Sequence, residues 1–111
     1  MALVQVVFQG PGPLPVEAKF NAEGDGVVVF YLAATAYSTT AGNLLTVELV
    51  VDGEVIGAAS TYTNGAESHK AILPIFIPYP LTAGTHIISL QVNGENVVAD
   101  GNDYFNVTVF Y

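Results

Sequence analysis

The sequence predicts an all-β fold, a sandwich of two antiparallel sheets. Short apolar segments alternate with polar residues at period two, turn-forming clusters recur every roughly 8 to 12 residues, and no segment keeps a helical period. The chain holds eight or nine such strands in 111 residues, a length that predicts one domain over residues 1–111. A jelly roll is preferred over an immunoglobulin-like topology, because the strand number fits and proline-rich crossings suit strands that change sheet.

The N-terminal segment 1–15 combines a strand with a proline-rich arm. Ala2 to Gln9 alternates loosely and predicts the first strand. The next residues cannot continue a hydrogen-bonded ladder, because Pro11, Pro13 and Pro15 have no N–H. This stretch is therefore either a stiff crossing between the sheets or an arm that lies on a neighbouring chain. Val16 to Asn21 predicts the second strand, ended by the turn at Asn21–Gly26.

The segment Val27–Tyr37 is apolar on both faces, as in a central strand that is covered on both sides. In a two-sheet sandwich one of these faces needs a cover, which is either a loop or another subunit. Val28, Phe30 and Leu32 are therefore candidate interface residues. Small residues at positions 33, 34 and 36 indicate that something approaches this strand closely.

Two further features predict strands in the middle of the chain. Leu45–Val51 and Glu54–Ser60 predict a hairpin around Asp52-Gly53, with Leu49 opposite Ile56. Ile72–Pro80 is a strand with internal prolines, Pro74 and Pro78, which confine it to a sheet edge and make both prolines interface candidates.

The C-terminal part predicts three strands. His86, Ile88 and Leu90 share one face of a strand that ends at Asn93-Gly94, a strong signal for a tight hairpin that returns through residues 95–99. A turn at residues 100–103 precedes the last strand, Tyr104–Tyr111. In this strand Phe105, Val107, Val109 and Tyr111 alternate with Tyr104, Asn106, Thr108 and Phe110.

Charge and composition exclude several classes of function. The chain has ten carboxylates but only two basic residues, Lys19 and Lys70, and no arginine, which gives a net charge of −8. We therefore expect neither a nucleic-acid nor an anionic-membrane partner. Because there is no cysteine, disulfides, thiolate metal sites and cysteine nucleophiles are excluded. The mean hydropathy of +0.50 predicts apolar surface left over for a homo-oligomer.

No residue pattern indicates an enzyme or a cofactor. The serines lack a G-x-S-x-G context, and His69 and His86 are isolated, which makes a zinc site a weak hypothesis. Asp100 and Asp103 are weak calcium-ligand candidates, although a turn uses the same residue types for its own backbone. Tyr37, Tyr62 and Tyr79 lie near loops or strand ends, where they are candidates for stacking on sugar rings.

The second half of the chain resembles a widespread class of β modules. The resemblance lies in Pro80–Leu90, which contains Pro-Leu-Thr-Ala-Gly-Thr-His, and in the closing strand Tyr104–Val109. Such hairpins recur in immunoglobulin-like and jelly-roll domains of tailed-phage virions and of bacterial carbohydrate-binding proteins. In its small size, its acidity and its lack of cysteine, the chain is similar to the decoration (cement or stapling) proteins of phage capsids.

This resemblance implies a non-enzymatic structural protein that oligomerises and clamps a larger assembly such as a capsid, located in the virion. The alternative is a lectin-like carbohydrate-binding module. Outside a phage, we expect a cytoplasmic location, since the first residues lack the pattern of a secretion signal. For intersubunit contact, we expect residues 1–15 and the Ile72–Pro80 edge to contribute more than the Asp52-Gly53 turn, with an intramolecular crossing as the alternative.

Overall fold

The computed structural model describes residues 3–111 as a β-sandwich. Its strands are β1 (Val4–Pro11), β2 (Val16–Ala22), β3 (Gly26–Ser38), β4 (Asn43–Val51), β5 (Glu54–Thr63), β6 (Lys70–Leu81), β7 (Gly84–Asn93), β8 (Val97–Val98) and β9 (Tyr104–Phe110). One sheet has the order β1-β9-β3-β6, with the short β8 on β3, and the other has the order β2-β7-β4-β5. Ala2, where the first strand was predicted to begin, lies outside the described residues.

The long strands pair in a nested antiparallel pattern. β1 pairs with β9, β2 with β7, β3 with β6, and β4 with β5. A doubled chain that rolls up in this way forms two four-stranded sheets that face each other, which is the jelly roll. The predicted fold class, an all-β antiparallel sandwich, is confirmed.

The core lies between the two sheets. Phe20, Leu49 and Leu90 from one sheet and Phe30 and Phe105 from the other are among its fully buried side chains. This burial follows the alternation along each strand, because every second side chain points between the sheets.

The predicted interface residues Val28, Phe30 and Leu32 belong to this core. Their side chains are 6%, 0% and 0% exposed, because the second sheet of the same chain covers the inner face of β3. They therefore present no surface to another chain. The opposite face of β3, which begins with the 69% exposed Val27, is the one that faces outward.

Two predicted pairings differ from the structure. The prediction of a hairpin at Asn93-Gly94 is wrong, because β7 lies in one sheet, whereas β8 pairs with β3 of the other. The turn has positive φ at Gly94 and Asn96 and leads the chain across the sandwich. In the confirmed Asp52-Gly53 hairpin, an irregularity after Leu49 places Gly57 opposite Leu49 instead of Ile56.

The proline-rich segment after β1 is an intramolecular crossing between the sheets. The Gly12 N–H donates to the Asp103 carbonyl at 2.9 Å, and the Leu14 N–H donates to the Ala99 carbonyl at 3.2 Å. The segment is thereby tied to the residues that precede β9. Its three prolines, Pro11, Pro13 and Pro15, are exposed, and their role in an interface stays a prediction.

The proline-containing strand β6 lies at an edge of its sheet, as predicted from Pro74 and Pro78. Both prolines are exposed, and their role in an interface stays a prediction. Between residues 3 and 111 there is no helix that is long and apolar enough to cross a membrane.

His86 fastens the Asp52-Gly53 turn to the start of β7. Its Nδ1 lies 2.6 Å from Asp52 Oδ2, and its Nε2 lies 2.7 Å from the Thr82 carbonyl oxygen. Since both partners are acceptors, both ring nitrogens donate and the imidazole is a cation. The hydrogen bond to Asp52 raises the pKa of His86, and the same contact lowers the pKa of Asp52.

We expect the substitution His86→Asn to destabilise the protein most between about pH 4 and pH 6.5. The folded-state pKa of His86 is raised above its ordinary 6.5, so its contribution is complete below that pH and is lost as the pH rises through the raised value. The pKa of Asp52 is lowered from 3.8, so its contribution is lost as the pH falls through the lowered value. Urea unfolding should show a loss of about 1 kcal/mol at pH 5.5 that shrinks toward pH 9. The wild type and the variant both contain His69, so its titration cancels in the difference between their free energies of unfolding. A loss of stability that does not change with pH would contradict the pairing of a protonated His86 with Asp52.

We expect Gly12→Ala to destabilise the crossing. A Cβ at this position would lie 2.4 Å from the Asp100 carbonyl oxygen and 3.1 Å from the Phe105 ring. Because a backbone carbonyl cannot rotate away as a side chain can, the cost should be about 1–3 kcal/mol. Gly10→Ala is the matched control, since its nearest neighbour is the Phe8 ring at 3.8 Å. Thermal unfolding of both variants compares them, and equal melting temperatures would show that the crossing is not closely packed.

Candidate functional site

The outer face of the β1-β9-β3-β6 sheet differs from the rest of the molecule in its charge. Of the residues in these four strands, Lys70 alone is charged, although the chain carries ten carboxylates. The acidic residues lie in the other sheet and in the loops. This sheet therefore presents a nearly neutral surface on a strongly acidic protein.

An aromatic cluster, formed by Tyr31, Phe76 and Phe110, lies on this outer face. The ring centroids of Tyr31 and Phe76 are 5.3 Å apart, and those of Phe76 and Phe110 are 6.2 Å apart. Phe76 is 63% exposed. The three residues meet because Tyr31 is opposite Phe76 in β6 and lies near Phe110 in β9. The exposed ring of Phe76 and the partly buried rings of Tyr31 and Phe110 form a largely apolar platform.

A groove of about 320 Å³ lies beside this cluster on the same sheet. Its floor includes the small side chains of Ala33 and Ala71, and Tyr104 and Pro74 also line it. A register shift between β3 and β6 at this point and the lack of bulky side chains leave the space open. Of the small residues at positions 33, 34 and 36, Ala33 borders this open groove, whereas Ala34 and Ala36 are buried in the core.

Two amide side chains line the groove next to Tyr104. Asn106 donates from Nδ2 to Gln9 Oε1 at a long 3.4 Å and accepts a 2.7 Å hydrogen bond from the Thr108 hydroxyl. Among residues 3–111, the Gln9 side chain makes no other hydrogen bond, so its NH₂ group is available to a ligand. The Tyr104 ring is 59% exposed. The groove therefore combines an aromatic face with neutral donors and acceptors.

A polar cluster, formed by Tyr37, His69, Asp100 and Asp103, adjoins the groove. Asp103 is fully buried and accepts three hydrogen bonds: from the Thr35 hydroxyl at 2.8 Å, from His69 Nδ1 at 2.6 Å and from the Asp100 N–H at 2.9 Å. Thr35 Oγ1 in turn accepts the Tyr104 N–H at 3.0 Å. Asp103 therefore fixes the position of Thr35 and, through it, the backbone that carries Tyr104.

The electrostatics of the cluster favour the protonated form of His69. The hydrogen bond to Asp103 raises the pKa of His69, and the charges of Asp103 and Asp100 add to this effect. Burial raises the pKa of Tyr37, and the neighbouring Asp100 carboxylate raises it further. The rings of Tyr37 and His69 lie 4.6 Å apart at a tilt of 52°. The cluster is thus an ion pair of His69 and Asp103 covered by a neutral tyrosine.

The side chains of His69, Asp100 and Asp103 offer ligand atoms that lie within 4.8 Å of one another. However, both oxygens of Asp103 already accept protein donors, and Asp100 Oδ1 accepts the Asn102 N–H at 2.9 Å. These contacts account for the arrangement without an ion. The assignment of Asp100 and Asp103 as calcium ligands therefore stays a prediction.

The three tyrosines predicted to stack on sugars do not share a surface. Tyr37 lies in the polar cluster, on the same side of β3 as the groove. Tyr62 is 61% exposed on β5 of the other sheet, and the half-buried Tyr79 packs against the core.

The groove residues Gln9, Tyr104 and Asn106 were not predicted as a site. Tyr104 and Asn106 were visible as the outward positions of the last strand, but nothing local indicated that Gln9 would lie beside them.

Comparison with known proteins shows the fold. The chain matches no protein-family model and no curated protein. Among solved structures, it is similar to dimeric latent PorU from Porphyromonas gingivalis, with a TM-score of 0.63 and 10% identity over 97% of this chain but only 12% of PorU. A family 35 carbohydrate-binding module from Clostridium thermocellum has a TM-score of 0.54 and 13% identity, with 99% of this chain and 91% of the module covered. The corresponding module of Abf62 from Cellvibrio japonicus has a TM-score of 0.57 and 14% identity, with 100% and 93% covered.

The expectation of a phage-capsid decoration protein is wrong. The structures similar to this chain include carbohydrate-binding modules, and these favour the alternative, a lectin-like module, over a phage decoration protein. The sequence motifs that led to it, short hairpins with glycine turns, occur wherever jelly rolls occur, and a fold does not specify a function.

We expect Asp103→Asn to return the pKa of His69 toward its ordinary 6.5 and to destabilise the protein by about 1–3 kcal/mol. The neutral amide removes the charge that stabilises the imidazolium, and its NH₂ group faces a donor. NMR titration of the two histidine rings measures this, with His86 as the internal control because it pairs with Asp52. An unchanged His69 titration would show that Asp103 does not set its protonation.

Proposed function

We propose that this protein is a non-catalytic carbohydrate-binding module whose groove holds a neutral glycan. The observation that carries the proposal is the groove itself, in which the exposed ring of Tyr104 and the amides of Gln9 and Asn106 converge over a floor of alanines. Concave sites with an apolar lining and a few polar groups are typical of small-molecule binding.

The groove has the chemistry that a sugar needs. One face of a pyranose ring presents C–H groups, which pack on the electron-rich face of an aromatic ring such as Tyr104. The hydroxyl groups at the ring edge both donate and accept, and the amides of Gln9 and Asn106 offer both functions as well. The aromatic cluster extends this surface along β3: Tyr31 and Thr35 are four residues apart, about 13 Å at the rise of a strand. A second sugar unit can therefore pack on Phe76.

Charge favours a neutral glycan over an acidic one. No charged side chain lines the groove, and the protein has a net charge of −8. A uronate or sulfated polymer would meet no cation in the groove and would be repelled by the whole molecule. A neutral polymer meets neither penalty.

The Asp103 carboxylate near the groove does not have the freedom that hydrolysis of a glycoside requires. The buried Asp103 carboxylate accepts three hydrogen bonds from the protein and pairs with His69. A group held in this way positions its neighbours, whereas a general acid or nucleophile must reach the substrate. The fold similarity to two family 35 carbohydrate-binding modules supports a binding role.

We expect Tyr104→Ala to weaken glycan binding about tenfold, which corresponds to ~1.4 kcal/mol of lost packing on the sugar ring. Tyr62→Ala is the matched control, because Tyr62 is equally exposed, at 61% against 59%, but lies on the opposite sheet. Affinity electrophoresis against neutral xylan, mannan, glucan and galactan, with polygalacturonate as the acidic polymer, identifies the ligand. Calorimetry with its oligosaccharides then compares the variants.

The same experiment has outcomes that oppose the proposal. Binding that is lost equally in Tyr62→Ala, or retention by none of the neutral polymers, removes the groove as the site. Binding that disappears with a chelator would assign it to a metal at Asp100 and Asp103 and not to the groove. Release of reducing ends from a bound polymer would contradict the non-catalytic role.

A further inference from the structure

Within residues 3–111, the strand β1 forms an edge of the nearly neutral β1-β9-β3-β6 sheet. Leu3, just before β1, makes two backbone hydrogen bonds with Tyr111, just after β9. The Leu3 N–H donates to the Tyr111 carbonyl at 2.5 Å, and the Leu3 carbonyl accepts the Tyr111 N–H at 2.9 Å. In an antiparallel ladder such pairs alternate with pairs that make no bond to each other. Val4 and Val6, which lie opposite Phe110 and Thr108, therefore direct their N–H and C=O groups away from the sheet.

Over Val4–Val6, before the irregularity that precedes Phe8, this edge has neither the charged side chains nor the prolines that normally prevent pairing with another chain. Edge strands are usually protected by charged side chains or prolines. The opposite edge, β6, contains Pro74, Pro78 and Pro80, and β2 at the neighbouring edge of the other sheet carries Glu17 and Lys19. The residues of β1 before Pro11 include neither a charge nor a proline. Val4 and Val6 are nevertheless 60% and 50% exposed.

We propose that two copies of this protein form a dimer through antiparallel pairing of β1 with β1, around a two-fold axis at Gln5. This register follows from the direction of the free groups. A two-fold axis at Gln5 places Val4 opposite Val6 of the second copy, so that each of these two pairs exchanges both N–H···O=C bonds. An axis at Val6 would place Val4 opposite Phe8, beyond the irregularity between Val6 and Phe8, where the free groups no longer alternate in step.

The side chains suit a second copy as the occupant. A two-fold interface brings each surface against itself, and β1 is compatible with itself because no like charges meet. On the outer face, Val4 packs beside Val6 of the second copy as a cross-strand pair. On the other face, Gln5 meets Gln5, and an amide can donate to and accept from an identical amide. The carboxylates that give the chain its charge of −8 lie in the other sheet and the loops, so none of them lies on β1 itself.

The dimer would join the two neutral sheets into one continuous sheet. A two-fold axis normal to the sheet keeps both outer faces on the same side, so the two grooves, each lined by Gln9 of β1, open in the same direction. Under the function proposed above, such a dimer holds one polymer at two points and gains avidity without new contacts. The pairing itself depends only on the edge and can be tested in the absence of any glycan.

The experiment is sedimentation equilibrium of the full chain over a range of concentrations, with Val4→Lys and Val27→Lys as a matched pair. Both valines are exposed on the outer face, at 60% and 69%, but Val27 begins β3, away from the β1 edge. In a dimer of Val4→Lys, the lysine of each copy lies opposite Val6 of the other copy. The substitution thus places two charges between the paired strands and removes the apolar Val4–Val6 contacts. We expect a concentration-dependent mass that approaches twice the 11.6 kDa of one chain for the wild type and for Val27→Lys. For Val4→Lys we expect a dissociation constant at least tenfold higher.

Amide hydrogen exchange followed by NMR gives a second measurement that does not depend on a variant. The Val4 and Val6 amides should exchange more slowly as the wild-type concentration rises, because the second copy protects them, whereas the N–H of Leu3 is protected at every concentration. A wild type that stays monomeric up to about 1 mM would overturn the proposal. A dissociation constant above this concentration corresponds to a binding free energy weaker than ~4 kcal/mol. A dimer that Val4→Lys leaves intact, with unprotected Val4 and Val6 amides, would overturn it as well. Circular dichroism confirms that both lysine variants remain folded.

Discussion

The packing of β3 between two partner strands and against the second sheet is the constraint on which the rest of the structure depends. At thirteen residues it is the longest strand, and β6, β8 and β9 all pair with it. Its inner side chains, including Phe30 and Leu32, are fully buried. Because successive residues point to opposite faces, this burial also decides that Tyr31, Ala33 and Thr35 lie on the outer face. The aromatic cluster, the groove and the polar cluster are therefore arranged along one strand.

The buried carboxylate of Asp103 connects this framework to the candidate site. A buried charge is costly unless it is paired and hydrogen-bonded, and here three donors, one of which is the ion-paired His69, meet that requirement. Thr35 and the backbone of Tyr104 are held by the same network. The crossing at Gly12 also donates its N–H to the Asp103 carbonyl. One residue thus holds together the loop before β9, the crossing after β1 and the end of the groove.

The separation of charge between the sheets relates the fold to both proposed interactions. A net charge of −8 keeps the molecule apart from other acidic molecules, yet the strands of one sheet carry Lys70 as their sole charge. Neutral sugars and a second copy of β1 are the ligands for which such a surface carries no electrostatic penalty. The groove and the β1 edge belong to this same sheet, so glycan binding and pairing of two copies can occur together.

The sequence by itself determined the strands and most turns, because alternation and turn chemistry depend on residues that are close along the chain. The edge position of β6 follows from its prolines, and the Asp52-Gly53 hairpin follows from two residues that tolerate positive φ. The tertiary structure decided which strands meet. Gln9 and Asn106 are 97 residues apart and become neighbours only because β1 pairs with β9. The chain after Asn93 crosses to the other sheet instead of forming the predicted hairpin, since Val97 and Ala99 are buried in the core there. Strand order is set by the packing of the whole core, and no local pattern contains that information.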